Sequence, residues 1–137
     1  MKLGVICDGI SRDLSHALRV MDEFGLDYAE LQFVWDKEVG DHNASEIAQI
    51  KELLDTHNKP VSCLSRHIFA GLTTASKAGD KDHTRHMDYL KRVIEMAHQL
   101  NCPLVRIMTS KKEQILWGTN GADTGTWPRG LGTLCHP

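Results

Sequence analysis

The sequence lacks several features that would settle its class outright. Its four cysteines, Cys7, Cys63, Cys102 and Cys135, are scattered, with no CxxC and no Cys/His pair at metal spacing. That argues against a disulfide framework or a zinc site, and points to packing roles in a reducing, cytoplasmic setting. No apolar run approaches the ~20 residues of a transmembrane helix, so no membrane partner is expected. The first ten residues are too short and too polar for a signal segment, since Gly4 interrupts the apolar stretch and Asp8 follows it directly. Charge of one sign is missing too. The 16 Lys and Arg stand against 18 Asp and Glu, for a formal net charge of -2 and a pI near 6.4. Basic residues are interspersed with acids, so there is no field for a phosphate backbone, and nucleic acid is not an expected partner.

What is present is a cadence. The 137 residues, 41% hydrophobic and 25% charged, suit one globular domain. Four short strand-like segments begin near Lys2, Tyr28, Pro60 and Pro103, and apolar residues at helical spacing fill the intervals. Serial strand-helix units of this kind force a parallel sheet. Strand one spans Leu3 to Cys7, and Asp8-Gly9 turns the chain towards Ser11, an expected N-cap. Leu14, Ala17, Leu18, Met21 and Phe24 then mark the buried face of a first helix, which Gly25 ends. Strand two covers Tyr28 to Val34, with Glu30 and Gln32 on one side and Leu31 and Phe33 on the other. A polar loop, Trp35 to Asn43, leads to a capping-box-like start at Asn43-Ala-Ser-Glu46 and an apolar stripe of Ile47, Ile50, Leu53 and Leu54, closed by Asn58.

Strand three runs from Pro60 to about Arg66, followed by an aperiodic stretch from Ala70 to Asp80. The third helix covers about Asp82 to Leu100, with Met87, Leu90, Val93, Ile94, Ala97 and Leu100 inward and Asn101 as its cap. Strand four is Leu104 to Met108, and another loop occupies Thr109 to Asn120. The long connections all leave the carboxyl ends of strands, where parallel α/β proteins place their ligands. Residues 121–137 break the cadence. They hold Gly121, Gly125, Gly130, Gly132 and Pro128 with no helical stripe, so the expectation is two segments, 1–120 in four βα units and 121–137 as an irregular tail from truncation or a frameshift, the alternative being a natural disordered terminus.

The stretches LGVICDG, FGLDYAELQ, KPVSCLSRH and LNCPLVRIM, over about residues 1–120, resemble the xylose isomerase-like TIM barrels, in their sugar phosphate isomerase/epimerase branch. The resemblance implies the parallel (β/α)4 half of a TIM barrel and an α/β class. It also implies a sugar or sugar phosphate as the small-molecule partner, with proton transfer beside a carbonyl. It further implies a divalent metal (Mn, Mg, Co or Zn) in a full-length member. The family's metal-binding Glu, Asp, His and Glu come mainly from the second half of the barrel, so these four units are expected to bind none and to be inactive alone.

Site candidates follow from strand alternation and strand ends. If Leu31, Phe33, Val105 and Ile107 face the helices, Glu30 and Arg106 point inward, and two charges there require partners. His67, ending strand three where the family commonly places a histidine, offers a hydrogen-bonding imidazole. Gln32 and Ser110 stand at strand ends, and Trp35 and Phe69 offer flat faces for a sugar. Lys111-Lys112 has no Gly-rich cradle and reads as a solvated pair. His16, His42, His57, His83, His86 and His98 show no metal-ligand spacing and read as surface residues.

Three alternatives remain open. An apurinic endonuclease-like DNA repair enzyme would need histidine ligands after strands three and four and a basic groove. A non-catalytic half-barrel would pair its open edges with a second copy, as a homo-oligomer. A doubly wound sheet would show a reversal in strand order.

Overall fold

The structure, a computed structural model, describes residues 1–72 and 76–109. In chain order the elements are β1 (Gly4–Ile6), a 3-10 turn (Cys7–Gly9), α1 (Leu14–Glu23), β2 (Tyr28–Leu31), β3 (Phe33–Val34), β4 (Lys37–Glu38), α2 (Ala44–Thr56), β5 (Val61–Leu64) and α3 (Lys81–Gln99).

The helices start and stop where local chemistry dictates. Asp13, rather than Ser11, caps α1 by accepting from the Ser15 N–H, while Ser11 Oγ accepts from the Asp13 N–H. Asn43 and Glu46 form the anticipated capping box on α2, each side chain taking the other's backbone N–H. Every helix ends on a left-handed residue, Gly25, Asn58 or Asn101. The next N–H then reaches back to the last turn: Leu26 to the Met21 carbonyl, Lys59 to Leu54 and Cys102 to Ala97. These caps turn the chain straight into the following strand segment.

The sheet order is β1-β2-β5, all parallel. The expected fourth strand is reduced to a bridge between Leu64 and Val105, with the Leu64 N–H bonded to the Leu104 carbonyl and the Arg106 N–H to the Leu64 carbonyl. Strand segments therefore lie in sequential order, as in part of a TIM barrel and unlike a doubly wound sheet with its switch point. The register slips between Ala29/Val61 and Glu30/Cys63. This bulge at Ser62 lets both Val61 and Leu64, three residues apart, bury on the helix side while Cys63 lies beside Glu30.

Leu14, Leu18 and Met21 of α1, Ile47, Ile50 and Leu54 of α2, and Val93 and Met96 of α3 join Ala29, Leu31, Val61 and Leu64 in one core. Each such aliphatic side chain contributes roughly 1.5–3 kcal/mol by leaving water.

Several expectations need correction. Strand two stops at Leu31, because Phe33–Val34 swings out to pair antiparallel with Lys37–Glu38 across a turn at Trp35, whose φ is 53°. The stretch from Trp35 to Asn43 is thus a hairpin arm as well as a loop. Phe24 occupies the C-cap of α1, outside the helical stripe, and is 74% exposed. Ile94 lies one residue off the Val93, Ala97, Leu100 line and is exposed, while Ile107 sits beyond the last bridge and is exposed as well. His42 and His86 are buried rather than superficial. Among the described residues no helix is long and apolar enough to cross a membrane.

Candidate functional site at the carboxyl ends of the strands

Alternation stacks polar residues in two rows on the face opposite the helical core. The lower row starts from Glu30, whose register neighbour is Cys63. Two residues further along the same path, the buried Ser65 donates its hydroxyl to Glu30 Oε1. Arg106 Nη1 lies 3.6 Å from that same oxygen, and its Nη2 lies 3.4 Å from the Ser65 carbonyl. Glu30 and Arg106 therefore pair as alternation required, with Ser65 as a third member that the sequence reading missed. Both Arg106 contacts are long, and its Nε is buried without an acceptor.

The upper row holds Gln32 and His67. The Gln32 amide nitrogen is 3.0 Å from His67 Nε2, and Glu38 Oε1 is 2.8 Å from His67 Nδ1. Glu38 Oε1 also accepts the His67 backbone N–H at 3.0 Å. A carboxylate facing Nδ1 favours the tautomer with its proton there, which leaves the Nε2 lone pair towards Gln32. His67 is half exposed, whereas Glu38 is mostly covered. Phe33, displaced from its strand, tilts its ring towards His67 at 6.3 Å.

Behind this row lies an ion network. Arg66, 4% exposed, places Nη2 2.8 Å from Asp41 and donates Nη1 to the Val39 carbonyl at 2.7 Å. Its Nε stands 3.4 Å from Glu38 Oε2 without hydrogen-bond geometry. The guanidinium covers the Tyr89 ring at 4.1 Å, and Arg92, also bound to Asp41, approaches Tyr89 at 5.0 Å. Burial pushes the Asp41 carboxyl up, but hydrogen bonds from Arg66 and Arg92 outweigh it and hold the group below its usual 3.8.

The remaining candidates lie elsewhere. Trp35 packs edge-on against His42 at 6.0 Å and gives its backbone N–H to the Arg12 carbonyl. Phe69, with φ of 63°, stacks on His83 and donates its N–H to His86 Nδ1 at 3.0 Å. Burial, followed by the Arg85 charge, holds His86 below its ordinary 6.5. Ser110 falls outside the described residues, as does the 121–137 segment.

Glu38 and Ser65 are the principal omissions of the sequence reading. Ser65 was accessible by counting two from Cys63, whereas Glu38 had no signal, because a two-residue strand leaves no periodicity. Cysteine chemistry finds no support at Cys7: burial first, then the charges of Asp8 and Glu30, push its thiol up to about 12.

The described residues do not fit a divalent metal. No three His, Cys, Asp or Glu side chains among them gather as ligands. Glu30 is engaged by Ser65 and Arg106, and Glu38 by His67 and Arg66.

A family model described as xylose isomerase-like TIM barrel matches residues 18–129. Comparison with curated proteins and with solved structures gives no match.

Proposed function

The chain belongs to the family of xylose isomerase-like TIM barrels, and we propose that it contributes the binding face of a sugar or sugar phosphate isomerase or epimerase. Such an enzyme moves a proton between carbons beside a carbonyl. The observation that carries this reading is the pair of polar rows, Glu30-Ser65-Arg106 and Gln32-His67 with Glu38 from the β3-β4 hairpin, at the carboxyl ends of the parallel strand segments. Vicinal hydroxyls need alternating donors and acceptors at short spacing, and these rows supply both. The Gln32 amide and the Glu30 carboxylate suit hydroxyl groups, while the His67 imidazole, steered by Glu38, can accept or return a hydroxyl proton through Nε2. Arg106, with an unused Nε and long contacts, is suited to shift onto a substrate oxygen.

The divalent metal belongs to this reading through the family alone. The test is direct. The chain is titrated with neutral ketoses under NMR observation, and isomerisation is followed with and without manganese, magnesium or cobalt. His67→Ala is expected to weaken ketose binding about tenfold, the loss of one or two good hydrogen bonds. Unchanged ketose binding in that variant would remove His67 from the site.

A further inference from the structure

One arginine at the rim of this face has no acidic partner among the described residues. Among the described residues, Arg19 is bonded to Ser15 Oγ, Arg85 to Asp82, Arg92 and Arg66 to Asp41, and Arg106 to Glu30. Arg12 alone of the described arginines has neither a carboxylate nor a hydrogen-bond acceptor for its guanidinium. Its side chain contact is the Phe33 ring, with the guanidinium carbon 4.9 Å from the ring centre. The backbone beneath it is anchored, because the Arg12 carbonyl accepts the Trp35 N–H at 2.7 Å.

Position makes this more than a solvated charge. Arg12 follows β1 and its 3-10 turn, so it stands at the carboxyl end of the sheet, on the same side as Gln32 and His67. Phe33 is the link: one ring contacts both Arg12 and His67. That ring reaches the site side because β2 ends at Leu31 and the chain departs from strand alternation. An aromatic face restrains the long arginine side chain while leaving its N–H donors without an acceptor among the described residues, which lowers the entropy lost when an oxyanion is gripped in two-point fashion.

We infer that Arg12 receives the anionic group, phosphate or carboxylate, of a sugar whose hydroxyls lie over Gln32 and His67. This deepens the isomerase or epimerase reading and rests on it, by narrowing the substrate class to anionic sugars.

The experiment measures binding of fructose, fructose 6-phosphate and gluconate to the full chain by calorimetry, in wild type, Arg12→Met and Arg12→Lys. The wild type is expected to favour at least one anionic sugar over fructose by about tenfold. Arg12→Met, which keeps the apolar cover on Phe33, is expected to abolish that preference and leave fructose binding unchanged. Arg12→Lys is expected to retain part of it. The two anionic arms separate a phosphate receptor from a carboxylate receptor. A preference that survives in Arg12→Met, or no preference in wild type, overturns the inference while fructose binding keeps the broader reading intact. Failure of all three sugars to bind overturns both.

Discussion

Replacing Asp41 by Asn tests whether the ion network around the buried Arg66 holds the candidate site in place. Asp41 contacts Arg66 and Arg92 at the same distance, 2.8 Å, but their surroundings differ: the Arg66 side chain is 4% exposed and that of Arg92 is 43% exposed. A charge-assisted hydrogen bond contributes roughly 1.5–3 kcal/mol when protected, whereas an exposed ion pair contributes about 0–1 kcal/mol. Asp41 is itself partly exposed, which places the Arg66 contact near the lower end. Arg66 also keeps the Val39 carbonyl, Glu38 and the Tyr89 ring, so it is not stranded to the extent of a fully broken buried pair. The expected loss for Asp41→Asn is about 2 kcal/mol in urea unfolding at pH 7. Double-mutant cycles apportion it, with coupling of about 1.5 kcal/mol to Arg66→Met and about 0.5 kcal/mol to Arg92→Met. A coupling to Arg92 equal to or larger than that to Arg66 would refute the reasoning, because burial would then not be what sets the strength. Acid supplies an independent arm. The Asp41 pKa is depressed below 3.8, so its stabilisation is complete above that value and is lost as pH falls through the folded-state pKa. The gap between wild type and Asp41→Asn is therefore expected to close below about pH 4.

Three other perturbations probe separate parts of the fold. Gly40 has φ of 90°, and a Cβ there would lie 2.7 Å from Val93 Cγ2, so Gly40→Ala is expected to cost on the order of 3 kcal/mol from strain and overpacking; an unchanged melting temperature would contradict that packing. His86 Nδ1 accepts the Phe69 N–H and the His86 pKa is depressed, so the stabilisation is present above pH 6.5 and lost as pH falls towards the folded-state value. The protection factor of the Phe69 amide is expected to fall as pH drops below 6.5, and a pH-independent protection factor would count against the bond. Asn43→Ala removes both Ser45 and Glu46 contacts at the start of α2 and is expected to cost about 1 kcal/mol in urea unfolding, with a loss under 0.3 kcal/mol showing the capping box to be idle.

The parts of the fold legible in the sequence are those with local causes. Asn43-x-x-Glu46 announced its capping box, and Gly25, Asn58 and Asn101 announced the left-handed helix ends, because each signal lies within four residues of the bond it makes. A parallel sheet followed from strand-helix repetition, but its sequential order, as against a doubly wound one, came only with the pairing of β1, β2, β5 and the Leu64–Val105 bridge. The pairing of Glu30 with Arg106 was also legible, since alternation and the cost of burying unpaired charge pointed the same way. What escaped detection depends on distant partners. Phe24 belongs to an apolar stripe by spacing, yet the helix ends one residue before it. Glu38 joins His67 across 29 residues, through a hairpin whose arms are two residues each. His86 looked superficial until the strained Phe69 turn was seen to need an acceptor.

The most consequential departure from pattern is at Leu31. Had β2 continued to Val34, Phe33 would have faced the helices with Leu31, and Glu38 would have had no antiparallel neighbour to bring it back over the sheet. The early stop produces both effects at once: it turns Phe33 towards His67 and Arg12, and it returns Glu38 to grip His67. The same return places Val39 and Asp41 where Arg66 can reach them. Arg66 and His67 are consecutive, so they project to opposite sides of the chain, one into a buried ion network and the other to the half-exposed face. Fixing Arg66 therefore limits the freedom of His67 by a single backbone step. Loss of Asp41 should accordingly loosen His67 even though the two side chains do not touch, which connects the stability of the network to the geometry available for binding a sugar.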